Sequence, residues 1–508
     1  MAQGVLSFQY EEERVSSGMT ALSGLPVYLD LAHVMGISES IRRQVHVREG
    51  SQGWTDEQVI LSLILLNLAG GEAVEDLRIL EADEGFCRVL RRVETQGMRR
   101  RERRELERRW RKEQRRAVPS PSAIFRYLSA FHDGEQESRR QAGKAFIPAP
   151  NRHLQGLVGV NRDLLAFVQS RREAKTATLD MDATLVAAYK AGALYCYQHF
   201  KAYQPLNVRW AEQGMVVHTE FRDGNVPAGY EQRRVLEAAL ASLPAGVEKV
   251  YLREDTAGYE WDLLTYCAEG KHERFGVIEF AVGADVTPEF KKAVALVADE
   301  EWQPLRRRVE GQWQETAQQW AEVCFVPNTV GHKKGGPSYR FIAIREPLEQ
   351  PALPGMAGQA ELPFPTMSFE AQGVYKVFGI VTNRDLPGEE LIRWYRERCG
   401  KSEEAHGVMK EDLAGGKLPS GDFGENAAWW WIMILALNLN EAMKQLVLGG
   451  SWVTKRMKAI RFALIHLPGR VKERSRQLIV RLGHGHPSLE TLLTARQRIA
   501  ALVPQPSG

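Results

Sequence analysis

Asp180 or Asp182, Asp255 and Glu403 stand at the edges of regular elements rather than on their solvated faces. Residues 176–186 (TATLDMDATLV) alternate polar and apolar side chains as a strand does, and they place Asp180 and Asp182 two apart, projecting to the same side. Asp255 follows the apolar run 247–252, in the stretch LREDTAG, and Glu403 lies inside a helical stretch that begins near Glu389. Burying an acid within an apolar strand costs several kcal/mol unless it is paired or metal-bound. The ends of parallel strands are where α/β sheets gather ligands. Carboxylates with no Cys or His beside them suit magnesium or manganese rather than zinc. Two such ions ~3.5–4 Å apart activate a nucleophile and stabilise a leaving oxygen. Asp180 and Asp182 remain alternatives for the first of these acids.

The elements that must position them are legible from periodicity. Strand-like runs occur at residues 214–221 (GMVVHTEF), 247–252 (VEKVYL), 275–282 (FGVIEFAV) and 375–382 (YKVFGIVT), with helical spacing at 227–243 and 259–269. Strands followed by a helix and then strand–helix–strand predict a mixed α/β sheet domain. Residues 286–374 interrupt the pattern with short β-type runs, Trp302, Trp313 and Trp320, the loop GHKKGGPS and a Pro- and Gly-rich stretch, and they are expected to form a β-rich insertion. Residues 1–150 read as helical. Thr55 with Gln58 has the spacing of a capping box, and Gly70-Gly71 ends the helix that follows. Residues 427–449 and 452–483 also read as helical, and the block Trp429-Trp430-Trp431 is expected in the core.

At this point the sequence resembles a known family. Leu179-Asp-Met-Asp-Ala-Thr184, Leu252-Arg-Glu-Asp-Thr256 and the set Tyr395-Arg-Glu-Arg398, Glu403 and Lys410 resemble the three acidic motifs of DDE transposases of bacterial insertion sequences. The last is similar to the Y-R-E-K signature of the cut-and-paste branch. The resemblance implies a ribonuclease-H-like mixed-sheet core with a β-rich insertion, flanked by an N-terminal helical DNA-binding domain and a C-terminal helical region. The implied divisions are residues 1–150, 151–285 with 375–445, 286–374, and 446–508. It implies a metal-binding catalytic triad of Asp182, Asp255 and Glu403 with Mg2+ or Mn2+, two ions per site. It also implies Tyr395, Arg398 and Lys410 as contacts to DNA phosphate, and a base flipped onto an aromatic ring, for which Trp302, Trp313 and Trp320 are candidates. Asp182 is preferred because Ala183-Thr184 follows it. The family's three residues between Arg and Glu are four here, Cys399 to Ser402. On one continuous helix Arg398 is then swung ~140° from Glu403, unless Gly400 admits a bulge. Glu404 is the fallback for Glu403.

Charge and composition fit these expectations. The 508 residues carry a net charge of only +3, yet residues 99–116 (RRRERRELERRWRKEQRR) alone carry +7, leaving −4 for the rest. Such a stretch, with no apolar face beyond Leu106 and Trp110, suits a polyanion. The five cysteines are dispersed with no C-x-x-C pair, which argues against a disulfide framework and a structural zinc site. No apolar run is long enough to span a membrane, and the first residues lack a basic segment leading into an apolar core. A cytoplasmic protein is therefore expected, and the resemblance implies a nucleoid-associated DNA transposase that binds terminal inverted repeats and target DNA and pairs as a homodimer in the synaptic complex. The alternatives are a ribonuclease-H-like nuclease that cuts without joining, and an inactive DNA-binding relative.

Overall fold

The structure, a computed structural model, describes residues 17–50, 52–109, 116–327, 339–348, 364–369, 373–475 and 477–503. Trp110, the GHKKGGPS loop and most of the Pro- and Gly-rich stretch lie outside the described residues. The chain divides into two compact units, one drawn from residues 173–185 and 204–406, the other from 1–172, 186–203 and 407–508.

The first of these is built on one mixed sheet. Its strands are β1 (Thr176–Ala183), β2 (Leu206–Trp210), β3 (Met215–Glu220), β4 (Lys249–Glu254), β5 (Glu279–Ala284), β6 (Gln303–Val309), β7 (Gln312–Val323), β8 (Arg340–Pro347), β9 (Thr366–Phe369) and β10 (Gly373–Thr382). The spatial order is β6-β7-β8-β10-β5-β4-β1-β2-β3, with β9 pairing off this path against β10. Strands β1, β4 and β5 run parallel, and β2 and β3 form an antiparallel hairpin beside β1. The order β3-β2-β1-β4-β5 with that mixture of directions is a ribonuclease-H-like sheet. Both faces of the central strands are covered, and Leu179, Met181, Leu252, Phe280 and Val282 are fully buried.

The β-rich stretch does not fold back into a layer of its own. Strands β6 to β9 extend the same sheet antiparallel through β10, which pairs with β5. The reason is continuity of the apolar face. Ala281, Leu305, Trp320, Ile342, Ile344 and Ile380 form one cluster under the helix α1 (Gly388–Arg396), whose Leu391 and Ile392 complete it.

The other unit is mainly helical and draws on both ends of the sequence. The helix Phe423–Ala442, which holds Trp429, Trp430 and Trp431, is buried along nearly its whole length. A helix that is apolar on every side is stable only when surrounded. Here the helices Asp56–Ala69 and Arg152–Arg171 pack against it. Asn438 donates to Asn161 at 2.7 Å, and the Tyr28 hydroxyl donates to Asn440 at 2.8 Å. Residues beyond 406, read from sequence as continuing the sheet domain to 445, thus belong with the N-terminal helices. Within the arginine-rich stretch, Arg100–Arg109 is a helix whose described side chains are mostly exposed, and residues 110–115 lie outside the described residues.

Two features depart from the helical expectation for this unit. Strands Gly469–Arg474 and Gln477–Leu482 form a hairpin that pairs with Met19–Thr20, where a helix through 483 was expected. The turn between them places Ser475 at φ 51°, a conformation whose usual markers are Gly and Asn, so no turn signal is visible in the residue types. Within Val186–Tyr203 a second small sheet of very short strands forms. Among the described residues no single helix is long and apolar enough to cross a membrane.

The expected capping box is present. Thr55 Oγ1 accepts from the Gln58 backbone N–H at 3.2 Å, Gln58 Oε1 accepts from the Thr55 N–H at 3.0 Å, and the helix closes on Gly70 at φ 91°. Thr55→Ala is expected to lower stability by about 1 kcal/mol, read as a shift in the urea midpoint.

Candidate active site

Strands β1 and β4 lie side by side, with Asp180 opposite Arg253 in register. Arg253 is 1% exposed and grips Asp180 with both prongs, Nε to Oδ1 at 2.7 Å and Nη2 to Oδ2 at 3.0 Å. Its remaining nitrogen, Nη1, donates to the Trp394 carbonyl at 2.6 Å and to Glu397 Oε2 at 3.1 Å, both on or just beyond α1. One buried guanidinium therefore joins the two central strands to the helix that follows β10. Bidentate pairing of this kind satisfies a buried carboxylate and holds it in a fixed orientation. Asp180 is occupied.

Asp182, two residues on, is in a different situation. Its side chain is 21% exposed, and the cation nearest it is Arg398, whose Nη2 is 3.7 Å from Oδ2. Burial pushes its carboxyl up to about 7, the charges of Asp255 and Glu403 push in the same direction, and Arg398 only partly opposes them. Three acids from β1, from the turn after β4 and from the helix beyond α1 thus share one electrostatic neighbourhood. Asp255 and Glu403 are exposed. Asp255 Oδ1 accepts from the Ala257 N–H at 2.9 Å, and Glu403 Oε2 accepts from the Gly400 N–H at 2.7 Å. The turn bearing Asp255 sits tightly on β5, where a Cβ on Gly283 would come within 2.9 Å of the Thr256 nitrogen.

Of the two alternatives open for Arg398, the backbone takes the one that Gly400 admits. Helix α1 ends at Arg396, Gly400 takes φ +78°, and a new helix, α2 (Lys401–Gly407), begins directly after it. No continuous helix connects Arg398 to Glu403, so the ~140° offset does not apply. The left-handed glycine resets the direction of the chain. Arg398 lies in the break, 8% exposed, directed at Asp182, with its Nε buried and without a hydrogen-bond partner among the described residues. Gly400→Ala has open space for its Cβ but places a side chain at positive φ, and is expected to cost about 1 kcal/mol in chemical unfolding.

Tyr395 lies beside the same group. Burial pushes its phenol up to about 12, with Arg398 opposing and Asp255 adding to the shift. Lys410 falls in the helical unit, in the π-helical turn Val408–Asp412. Of the three tryptophans, Trp302 and Trp320 are buried. Trp302 stacks on the Arg345 guanidinium at 4.1 Å. Trp313 is 52% exposed, with Arg393 4.6 Å above its ring. It lines a cavity of about 710 Å³ with Arg306, Arg307, Arg308, Arg393 and Arg396.

The acids fit a hard divalent ion by donor type and by their mutual repulsion. Their ligand atoms do not converge to within 4.8 Å of one another; among the described residues, the trio that does so is His132, Glu137 and Asp422 of the helical unit. There Glu137 already accepts from the Phe423 and Gly424 N–H groups at 2.8 Å each, as a cap on the helix Phe423–Ala442. At the first site Asp255 and Glu403 each accept from an N–H of their own turn.

The profile of the transposase DDE domain group 1 family matches residues 16–504. The chain belongs to this family. It is also similar over 97% of its length to 85% of a piggyBac transposase chain solved by cryo-EM as a synaptic complex with hairpin DNA, at 9% identity and a TM-score of 0.39. No curated protein matches it.

Two residues of this DDE transposase escaped the sequence reading. Arg253 stands between Leu252 and Glu254 with nothing in its neighbours to mark it; the available signal was Asp180, a strand acid that needed a cation. Glu254 is buried, and burial first, then Asp255, raises its carboxyl well above the usual range. Gln232 donates to its Oε1, while Oε2 has no hydrogen-bond partner among the described residues and lies against Gly258.

Proposed function

We propose that this DDE transposase binds the terminal inverted repeats of an insertion sequence and carries out metal-dependent strand cleavage and strand transfer, with Asp182, Asp255 and Glu403 as its catalytic triad. The observation that carries the reading is the shared field of those acids at the ends of β1 and β4 and beyond α1, with the Arg398 cation inside it. Asp182 rather than Asp180 belongs to the triad, because Arg253 already neutralises Asp180.

The three carboxylates would hold Mg2+ or Mn2+, two ions per site. Bound there, the ions supply activation of the attacking oxygen and charge stabilisation of the leaving one. The remaining work falls to the chain itself. Arg398 and Tyr395 orient a non-bridging phosphate oxygen beside Asp182, Arg398 as a charged donor and Tyr395 through its hydroxyl, which burial keeps protonated. Lys410 supplies a further phosphate contact. The exposed helix Arg100–Arg109 and the arginine-lined groove at Trp313 add sequence-independent attraction to the DNA backbone. Two ends must be brought together, so the working form is a homodimer on DNA, and the protein is nucleoid-associated.

The test is a supercoiled plasmid carrying the element's two ends, incubated with the full chain and Mg2+. Excised and joined products are expected. Nicked products that never join would support the nuclease reading instead, and absence of both would leave an inactive DNA-binding relative. Mg2+ or Mn2+ is also expected to raise the melting temperature of the wild-type protein in the absence of DNA, because an ion bound only by the folded state stabilises it by mass action.

A further inference from the structure

Within the helical unit, Val186–Ala187, Leu194–Tyr195 and Lys201–Tyr203 form a small antiparallel sheet that begins shortly after Asp182 in the chain. Its inner side is anchored. Cys196, Ala202 and Tyr203 are buried, and Arg140 donates to the Gly192 carbonyl at 2.7 Å. The outward residues are of another kind. Tyr189, Tyr195 and Tyr197 are 99%, 62% and 69% exposed. Tyr195 stands directly opposite Lys201 across the hairpin, and Tyr197 lies two residues closer to the turn, which His199 makes at φ 63°. The segment Val186–Tyr203 contains no acid. Its lysines donate to carbonyl oxygens rather than carboxylates, Lys190 to Pro419 at 3.2 Å and Lys201 to Ala191 at 3.3 Å.

Large aromatic rings left in water on an anchored hairpin, beside lysines that pair with carbonyls and, among the described residues, with no carboxylate, have the make-up of a stacking platform for nucleic acid. We propose that this hairpin face binds single-stranded DNA, with Tyr195 and Tyr197 stacking on unpaired bases, Tyr189 adding a third ring, and Lys190 and Lys201 facing the phosphates. The inference rests on the reading of the chain as an enzyme that acts on DNA. The physics favours unpaired over duplex DNA. Rings standing out from a turn stack only on bases that have left the helix, and two lysines neutralise too few phosphates for tight duplex binding.

The experiment is fluorescence anisotropy of the full chain with a labelled oligothymidylate of about 16 nucleotides, the upper end of common single-strand site sizes, and with a labelled duplex of the same length. The Tyr195→Ala/Tyr197→Ala variant is expected to bind the oligothymidylate at least ~5-fold more weakly, the lower bound for losing one stacked base. Its duplex affinity should be unchanged, and Tyr195→Phe/Tyr197→Phe should bind both probes as the wild type does. Equal oligothymidylate affinity for the alanine variant and the wild type would overturn the inference. So would parallel losses on both probes. A change in sedimentation with unchanged DNA affinity would also overturn it and mark the face as a contact between copies of the chain. If the wild-type protein binds neither probe, the underlying reading of a DNA enzyme fails with it.

Discussion

Asp182→Asn is expected to reduce metal-dependent nicking by ~10³-fold or more, in the range seen when a preorganised electrostatic contact to the transition state is removed. The same substitution should make the metal-free protein more stable at neutral pH. The folded carboxyl is raised from 3.8 to about 7, chiefly by burial and then by Asp255 and Glu403. Between those pH values the folded chain holds a proton that the unfolded chain has released. Stability therefore falls as pH rises through this window and levels off above about pH 7. The full shift corresponds to at most about 4 kcal/mol, and partial exposure of the side chain makes the true figure smaller. Urea midpoints in chelator at pH 4 and pH 8 measure it. The variant should exceed the wild type at pH 8, and the two should converge at pH 4. Mg2+ should close the gap by stabilising the wild type alone. A variant that nicks at the wild-type rate, or that gains nothing at pH 8, would remove Asp182 from the centre of the site.

Arg253→Ala should be the most destabilising single change in the sheet unit, by about 3–5 kcal/mol, the usual cost of leaving one partner of a buried ion pair uncompensated. Asp180 would lose both of its charge-assisted bonds, and the Trp394 carbonyl would lose a donor. Arg253→Lys should recover little, because an ammonium cannot span Asp180 and the Trp394 carbonyl as a planar fork does. The double variant Asp180→Asn/Arg253→Met should be less destabilised than Arg253→Ala, since no charge is then left buried alone. A double-mutant cycle by urea unfolding, read alongside nicking activity, separates this positioning role from catalysis. Equal midpoints for wild type and Arg253→Ala would show that the clamp does not hold α1 against the strands.

The comparison of residue pattern with structure turns on where information is local. Apolar runs and capping residues act over a few positions, so β1, β4, β5, β10 and the Thr55 cap were all legible, each within a few residues of its observed bounds. The Ser475 turn was not, because its positive φ is imposed by the hairpin around it rather than by its own side chain. Nor was the assembly of the helical unit. Phe423–Ala442 shows plainly that it must be buried, but nothing in its residues says that helices from the other end of the chain will cover it.

The candidate site divides along the same line. Asp182, Asp255, Glu403, Tyr395 and Arg398 became candidates through the resemblance of their motifs to those of DDE transposases, because among 64 acids residue type alone marks none of them. Which of two strand acids keeps a free carboxylate was decided by Arg253, which reaches Asp180 only because parallel register sets their Cα atoms opposite each other. The direction of Arg398 was decided by one left-handed glycine that ends a helix the periodicity would have continued. Side-chain chemistry is carried by each residue alone, whereas charge compensation and chain direction depend on neighbours that only folding supplies.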